Sequence, residues 1–360
     1  MALDHLTVKA LSRPRREEFT QDGELLATWW RQSSPGCYYW RCLLPARRLP
    51  GQVLRFVSSD LAERSDGELW WPRMQGACVW QFPGNATTGT LMRGMQTDGI
   101  RVLMDVDDNY LRVPDVMVNG GLTSGWQVGL DRNGSTDKYS FEAHARIARF
   151  VDGIIVATPA LADLYSQLNP NVYVCRNSVE PTDWPEPEQR HDGVLRIGWA
   201  ASHSHKFDAP LVRRALKWAA DQPNVEVYTY GVGEVYKFPG RVRKVAWTDD
   251  LTEYRRSLSL CDVHICPLIE TDWSRHKSDI KAMEAAMAGA WPIVSSAEPY
   301  RPWHDRTMVC TTAKDWEDAM RWVVRHRDEI PALARKAKEY VLAERTVEHE
   351  ISRWREAVAG

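Results

Sequence analysis

The chain has no long hydrophobic run. Nothing in its 360 residues approaches the ~20 consecutive apolar positions that a membrane-spanning helix needs. The opening stretch, MALDHLTVKALSRPRREEF, lacks the apolar centre of a secretory signal, which predicts a cytoplasmic protein. Charge of one sign is also scarce: 46 Lys and Arg face 48 Asp and Glu, a net charge of −2. That argues against a general nucleic-acid-coating surface, while leaving room for a local basic patch. The seven cysteines form no CxxC pair, and Cys37, Cys42, Cys78, Cys175, Cys261, Cys266 and Cys310 lie mostly in apolar runs. They read as buried reduced thiols, neither a disulfide frame nor a zinc site. GxSxG, GxxxxGK[ST], HExxH and GxGxxG are all missing, which removes the common signatures of serine hydrolases, P-loop enzymes, zinc peptidases and dinucleotide binders.

What is present is alternation. Short apolar runs interleave with helical patterns over most of the length, the pattern of an α/β protein with parallel sheets. In the first half, Gln52–Val57, Ala77–Phe82, Arg101–Val106, Gly153–Ala157 and Asn171–Cys175 read as strands. Thr87–Thr97, Ser140–Phe150 and Pro159–Leu168 read as helices, and Val113–Asp137 as a long loop. A proline-rich stretch, Pro181–Gln189, reads as a linker. The pattern then restarts, with strands expected at Leu195–Ala200, Val225–Tyr230, Val263–Pro267, Pro292–Ser295 and Met308–Thr311. Helices are expected at Pro210–Ala220, Leu251–Cys261, Trp316–Arg327, Ile330–Leu342 and Val347–Ala357. A length of 360 residues suits two domains. The expected division is 1–180, a linker at 181–193, a second domain at 194–345, and a terminal helix at 346–360. Seventeen tryptophans are enough to fill two cores and also line a cleft.

Three segments at strand ends carry chemistry. In HKSDIKAMEAAMAG, Ile280, Met283 and Met287 fall at helical spacing, and Ser278 is the expected N-cap. Lys277 and Lys281 sit at the helix start, where cations oppose the macrodipole, and Glu284 stands among alanines. Basic residues at a helix start with a carboxylate one turn on suit a nucleoside diphosphate: amides and lysines for phosphate, carboxylate for ribose hydroxyls. The commoner reading of such a helix, a solvated face, outweighs this until the rest of the chain is added. The second segment is LRIGWAASHSHKFD, a strand followed by small residues that let a ligand approach the backbone. Its His203, His205 and Lys206 could meet a phosphate, and Asp208 could cap the next helix, or the histidines are simply exposed. The third is VLMDVDDN. Asp105, Asp107 and Asp108 read as an acceptor-side or turn-ordering cluster, with a metal role less favoured. Tyr39 and Arg41 in GCYYWR follow the expected position of the first strand and could face a cleft, with core packing of the aromatics as the alternative.

In order and spacing, these pieces resemble a GT-B-fold glycosyltransferase of the large retaining family (group 1, family 4-like), in a subset found in phage and bacterial gene clusters. The similarity is carried by FVDGIIVATPALADLY with CRNSVE, LRIGWAASHSHKFD, CDVHICPL, HKSDIKAMEAAMAGAWPIVSS, VLMDVDDNYL and YYWRCLLPARRL. It spans nearly the whole chain. The resemblance implies two Rossmann-like domains facing a cleft, with the terminal helix crossing back to the first. Glu284 matches the glutamate that binds nucleotide ribose, Lys277 and Lys281 match basic positions near the diphosphate, and Gly198 to His205 match the donor-domain loop. The implied donor set is thus Gly198, Ser202, His203, Ser278 and Glu284. Lys277, Lys281 and His205 would stabilise the leaving group. Three departures stand out. His276 occupies the place of a second glutamate, Cys175-Arg176 replaces a residue-proline pair, and Ala200 replaces a glycine.

The implied activity is transfer of a sugar from a UDP- or GDP-sugar to a hydroxyl on a glycan, protein or modified DNA base. Retention of configuration, no tightly bound cofactor and no metal are expected. The rivals are a phage DNA-modifying transferase (acting in the host cytoplasm), a nucleotide-sugar epimerase of the same fold, and an inactive binding relative. Both lysines and Glu284 argue against the last.

Overall fold

The computed structural model describes residues 25–31, 35–49, 52–57, 76–81, 83–84, 86–111, 141–187, 190, 192–231, 238 and 241–360. The chain divides into two compact units, Met1–Ser178 with Val347–Gly360, and Val179–Thr346. The loop expected at Val113–Asp137 lies outside the described residues, as do the side chains of His203 and Ser204.

Unit 1 is built on a sheet of β1 (Leu25–Arg31), β2 (Gln52–Val57), β3 (Ala77–Gln81), β4 (Val102–Val106), β5 (Gly153–Val156) and β6 (Val172–Val174). Their spatial order is β2-β1-β3-β4-β5-β6, and all neighbours are parallel. β3, β4 and β5 are buried throughout, as strands covered on both faces must be. After β1 come α1 (Pro35–Tyr38) and α2 (Leu44–Arg48), joined by a π-helical turn at Tyr39–Leu43. α3 (Ala86–Thr97), α4 (Phe141–Phe150) and α5 (Pro159–Tyr165) accompany the later strands. α5 starts as its sequence dictates: Thr158 accepts from Leu161 N at 3.2 Å and Pro159 takes the first turn.

Unit 2 repeats the scheme with β7 (Leu195–Ala201), β8 (Val225–Gly231), β9 (Arg243–Val245), β10 (Val263–Cys266), β11 (Trp291–Ser295) and β12 (Val309–Cys310). The order is β12-β11-β10-β7-β8-β9, again all parallel. Its helices are α6 (Ala209–Ala220), α7 (Leu251–Leu258), α8 (Ile280–Met287), α9 (Ala313–Arg325) and α10 (Ile330–Glu344). α6 buries Val212, Ala215, Leu216 and Ala219, a stripe at helical spacing against the sheet. α9 opens on a reciprocal Thr312–Asp315 capping box.

The proline-rich stretch is not a free linker. Val179 N already donates to Arg345 O at 2.8 Å within unit 2. Trp184 is buried beneath the Arg255 guanidinium, and Pro187 seats against Gly289. A Cβ on Gly289 would lie 2.3 Å from Pro187 Cγ, and the residue's φ of +80° is a glycine conformation in any case. Apolar burial therefore fixes a segment whose composition suggested mobility.

α11 (Val347–Ala359) belongs to unit 1. Trp354, Ala357 and Val358 join the core beside β1 and β6, and Arg101 donates to the carbonyls of Ala357 and Val358 at 2.6 and 2.9 Å. Near it, Arg41 is fully buried with its guanidinium 4.7 Å from the Trp354 ring centre. It donates to Asp105 at 2.7 Å, Cys175 O at 2.5 Å and Asn177 Oδ1 at 3.2 Å. Burial pushes the Asp105 carboxyl up to about 6, against the pull of Arg41. Breaking such a pair strands a buried charge. Asp105→Asn should lower stability by about 3–5 kcal/mol in urea unfolding, and a loss under about 1 kcal/mol would show that the pair is dispensable.

Candidate nucleotide site

β7 and β10 are hydrogen-bonded neighbours, yet β8 and β9 intervene in the chain and lie on the other side of β7. The strand order reverses here. In open parallel sheets, ligands bind in the crevice beyond the strands' carboxyl ends at such a point. A small cleft lies there, lined in part by Ala200, His264, Cys266, Lys281, Glu284 and Ala285.

α8 presents the polar groups. Its sequence buries Ala282, Met283, Ala285, Ala286 and Met287, and Glu284 is buried with them, only 6% exposed. The helix stops at Gly289, with Gly289 N bonding Ala286 O and Ala290 N bonding Ala285 O, both at 3.0 Å. Lys281 Nζ donates to Glu284 Oε2 at 2.9 Å and to the Tyr254 hydroxyl at 3.1 Å. Tyr254 in turn donates to Glu284 Oε2 at 2.9 Å. Burial opposes the charge on Lys281, but Glu284 and Tyr254 outweigh it and hold the ammonium above the ordinary lysine range. Both bonds to Glu284 fall on Oε2. Oε1 has no bond among the described residues and keeps its acceptor capacity. Tyr254 escaped sequence reasoning because nothing in LTEYRRSL marks it; only the fold brings α7 against α8.

Beside β7, His205 Nδ1 and Asp208 Oδ2 lie 2.8 Å apart. Asp208 Oδ1 accepts from Ile269 N at 2.7 Å, tying this loop to the one after β10. Asp208 occupies the α6 cap position without capping through its side chain, because both oxygens are committed elsewhere. The expected cap of α8 is displaced as well. Asp279 rather than Ser278 holds the N-cap position, and its carboxylate turns away to Arg345 at 2.6 and 2.8 Å and to Trp303 Nε1 at 2.8 Å. Lys277 Nζ rests 3.8 Å from the Trp273 ring centre. His276 is buried in a 3-10 turn, with Nδ1 2.8 Å from Asp272 O. Ser202 precedes the 3-10 turn His203–Phe207 and is half-buried.

Gly198 is a packing residue rather than a ligand-facing one. A Cβ there would meet His264 Cε1 at 2.4 Å and Cys261 Sγ at 2.8 Å. His264 fills the vacated space and bonds Leu258 O at 3.0 Å; burial pushes its imidazole down to about 4, so it is neutral. In unit 1, Arg41 and Asp105 satisfy each other out of solvent rather than facing a cleft. Tyr39 is buried edge-on to Trp40. Asp107 accepts from the Tyr110 hydroxyl at 2.6 Å and Asp108 from Asn109 N at 2.9 Å, so these acids order the turn after β4. Among the described residues, no three His, Cys, Asp or Glu side chains gather as a metal-ligand set.

No family model matches the sequence, and no curated protein matches it. Solved structures do match by fold. Sucrose-phosphate synthase from Thermosynechococcus elongatus aligns at TM-score 0.61 and 11% identity, covering 92% of this chain and 98% of that one. HepE of Anabaena, crystallised with UDP-glucose, aligns at 0.59 and 10% identity with the same coverages. WaaG, a glycosyltransferase involved in lipopolysaccharide biosynthesis, aligns at 0.58 and 11%, also at 92% and 98%. The chain spans only 54% of the longer TarM. At these identities the likeness establishes fold alone: two α/β units of the GT-B fold.

The packing account of Gly198 has a direct consequence. Gly198→Ala should cost about 1–3 kcal/mol or more of stability with no ligand present. Adding His264→Ala should recover part of that loss; additive losses would separate the two residues.

Proposed function

We propose that the chain is a glycosyltransferase that takes a sugar from a nucleoside-diphosphate sugar and passes it to a hydroxyl acceptor. The observation that carries this reading is the Glu284–Lys281–Tyr254 cluster beside the β7/β10 crevice. Glu284 is held by two donors on one oxygen and keeps the other open, the arrangement a ribose diol needs from a carboxylate. The fold it shares with HepE, whose crystals hold UDP-glucose, supports a UDP-sugar donor.

In this reading the ribose sits on Glu284 and the diphosphate at the start of α8. No N-cap side chain caps the first turn of α8, and positive partial charge there favours phosphate. Lys277 and His205 add cationic or donating groups as negative charge builds on the leaving diphosphate. Asp208 orients His205, leaving Nε2 for the ligand. Transfer proceeds with retention, the departing phosphate accepting the acceptor's proton. Fixed positive charge supplies the leaving-group stabilisation, so no metal is required.

Calorimetry tests the donor assignment. Glu284→Ala should weaken UDP or GDP binding by about tenfold or more, roughly 1.4 kcal/mol, while the protein stays folded. Unchanged affinity for both nucleotides overturns the ribose role. Turnover in excess EDTA should match untreated enzyme; a loss restored by a divalent cation overturns the metal-free mechanism.

A further inference from the structure

We propose that Gln81 binds the acceptor, its side-chain amide engaging two adjacent hydroxyls of a neutral carbohydrate. The word acceptor rests on the transferase reading; the binding itself does not. Gln81 is 2% exposed, and neither Oε1 nor Nε2 has a hydrogen-bond partner among the described residues. A primary amide offers two donors and an acceptor oxygen, and folded proteins rarely bury all of them unpaired.

Its position is equally specific. Gln81 is the last residue of β3, and β3 borders β1, with β2 beyond. The strand order of unit 1 reverses between β1 and β3, so Gln81 stands at the carboxyl end of a strand at the reversal, the place where open parallel sheets bind ligands. Register pairs Gln81 with Asp105, which puts both side chains on one face of the sheet. The connection after Gln81 is pinned: Pro83 O lies 2.7 Å from His144 Nδ1, whose Nε2 lies 2.7 Å from the Tyr165 hydroxyl.

The acids that the sequence nominated for an acceptor each have a partner within the fold. Asp105 is bound by Arg41, Asp107 by Tyr110 and Asp108 by the Asn109 amide. Gln81 differs from them in that neither of its side-chain polar atoms is bonded among the described residues. The neighbouring Arg41–Asp105 pair cancels its own charge, so the surroundings favour a neutral ligand. Phosphate offers only accepting oxygens and would strand Oε1. A vicinal diol offers a hydroxyl to accept from Nε2 and a second to donate to Oε1.

The test uses the full chain, Gln81→Met and a set of methyl hexopyranosides as probes. Saturation-transfer NMR without nucleotide should show at least one glycoside binding to wild type, weakened about tenfold in the variant. The urea midpoint of Gln81→Met should equal or exceed wild type, because an unpaired buried amide has been removed. UDP affinity should not change. Equal glycoside binding by both proteins, or binding by neither, overturns the proposal. A lowered midpoint overturns it too, since Gln81 would then be bonded within the protein. Failure of UDP to bind, with the glycoside result as stated, removes the donor reading alone.

Discussion

The carboxylate of Asp279 is the interaction on which unit 2 turns. It lies buried at the start of α8, gripped by two nitrogens of Arg345 and by the Trp303 indole. Burial would drive such a carboxyl up, but the arginine and the hydrogen bonds prevail and hold it below the ordinary range. Removing either partner of a buried pair costs about 3–5 kcal/mol, so the start of α8 is anchored more firmly than a side-chain cap would anchor it. The helix that carries Lys281 and Glu284 is thereby fixed to the end of α10. The same charge that fixes it also leaves the first-turn amides uncapped by Asp279.

Unit 1 uses the same device. Arg41 and Asp105 are buried together, and Arg41 also holds Cys175 O and Asn177. Those residues end unit 1's first segment, as Arg345 ends unit 2. Each unit therefore secures its outgoing chain with an arginine–aspartate pair within its own body. In both, the strand order reverses near a polar side chain with spare bonding capacity: Glu284 in unit 2 and Gln81 in unit 1.

The strands were legible because parallel, doubly covered strands are written as continuous apolar runs. Val263–Cys266 and Trp291–Ser295 are examples. Glu284 was legible as a carboxylate that an alanine-rich buried helix does not need for packing. The partners that define its geometry were not. Tyr254 is thirty residues away and reaches Glu284 only through the packing of α7 on α8. Ser278 lost the cap to Asp279 because Arg345, distant in sequence, fixes where the helix begins. Gly198 looked like a ligand glycine, since sequence does not reveal that His264 fills the space. Asp105 read as an acceptor-side or turn-ordering acid because its partner, Arg41, sits in a π-helical turn that no local pattern announces.

The central claim is that Glu284 recognises ribose hydroxyls in the β7/β10 crevice. Calorimetry with UDP and 2′,3′-dideoxy-UDP, on wild type and Glu284→Ala, tests it as a cycle between one residue and one ligand group. The account predicts that losing the hydroxyls weakens wild-type binding by about tenfold, and that Glu284→Ala binds both ligands equally. An equal loss in both proteins would contradict it, placing the ribose on some other group.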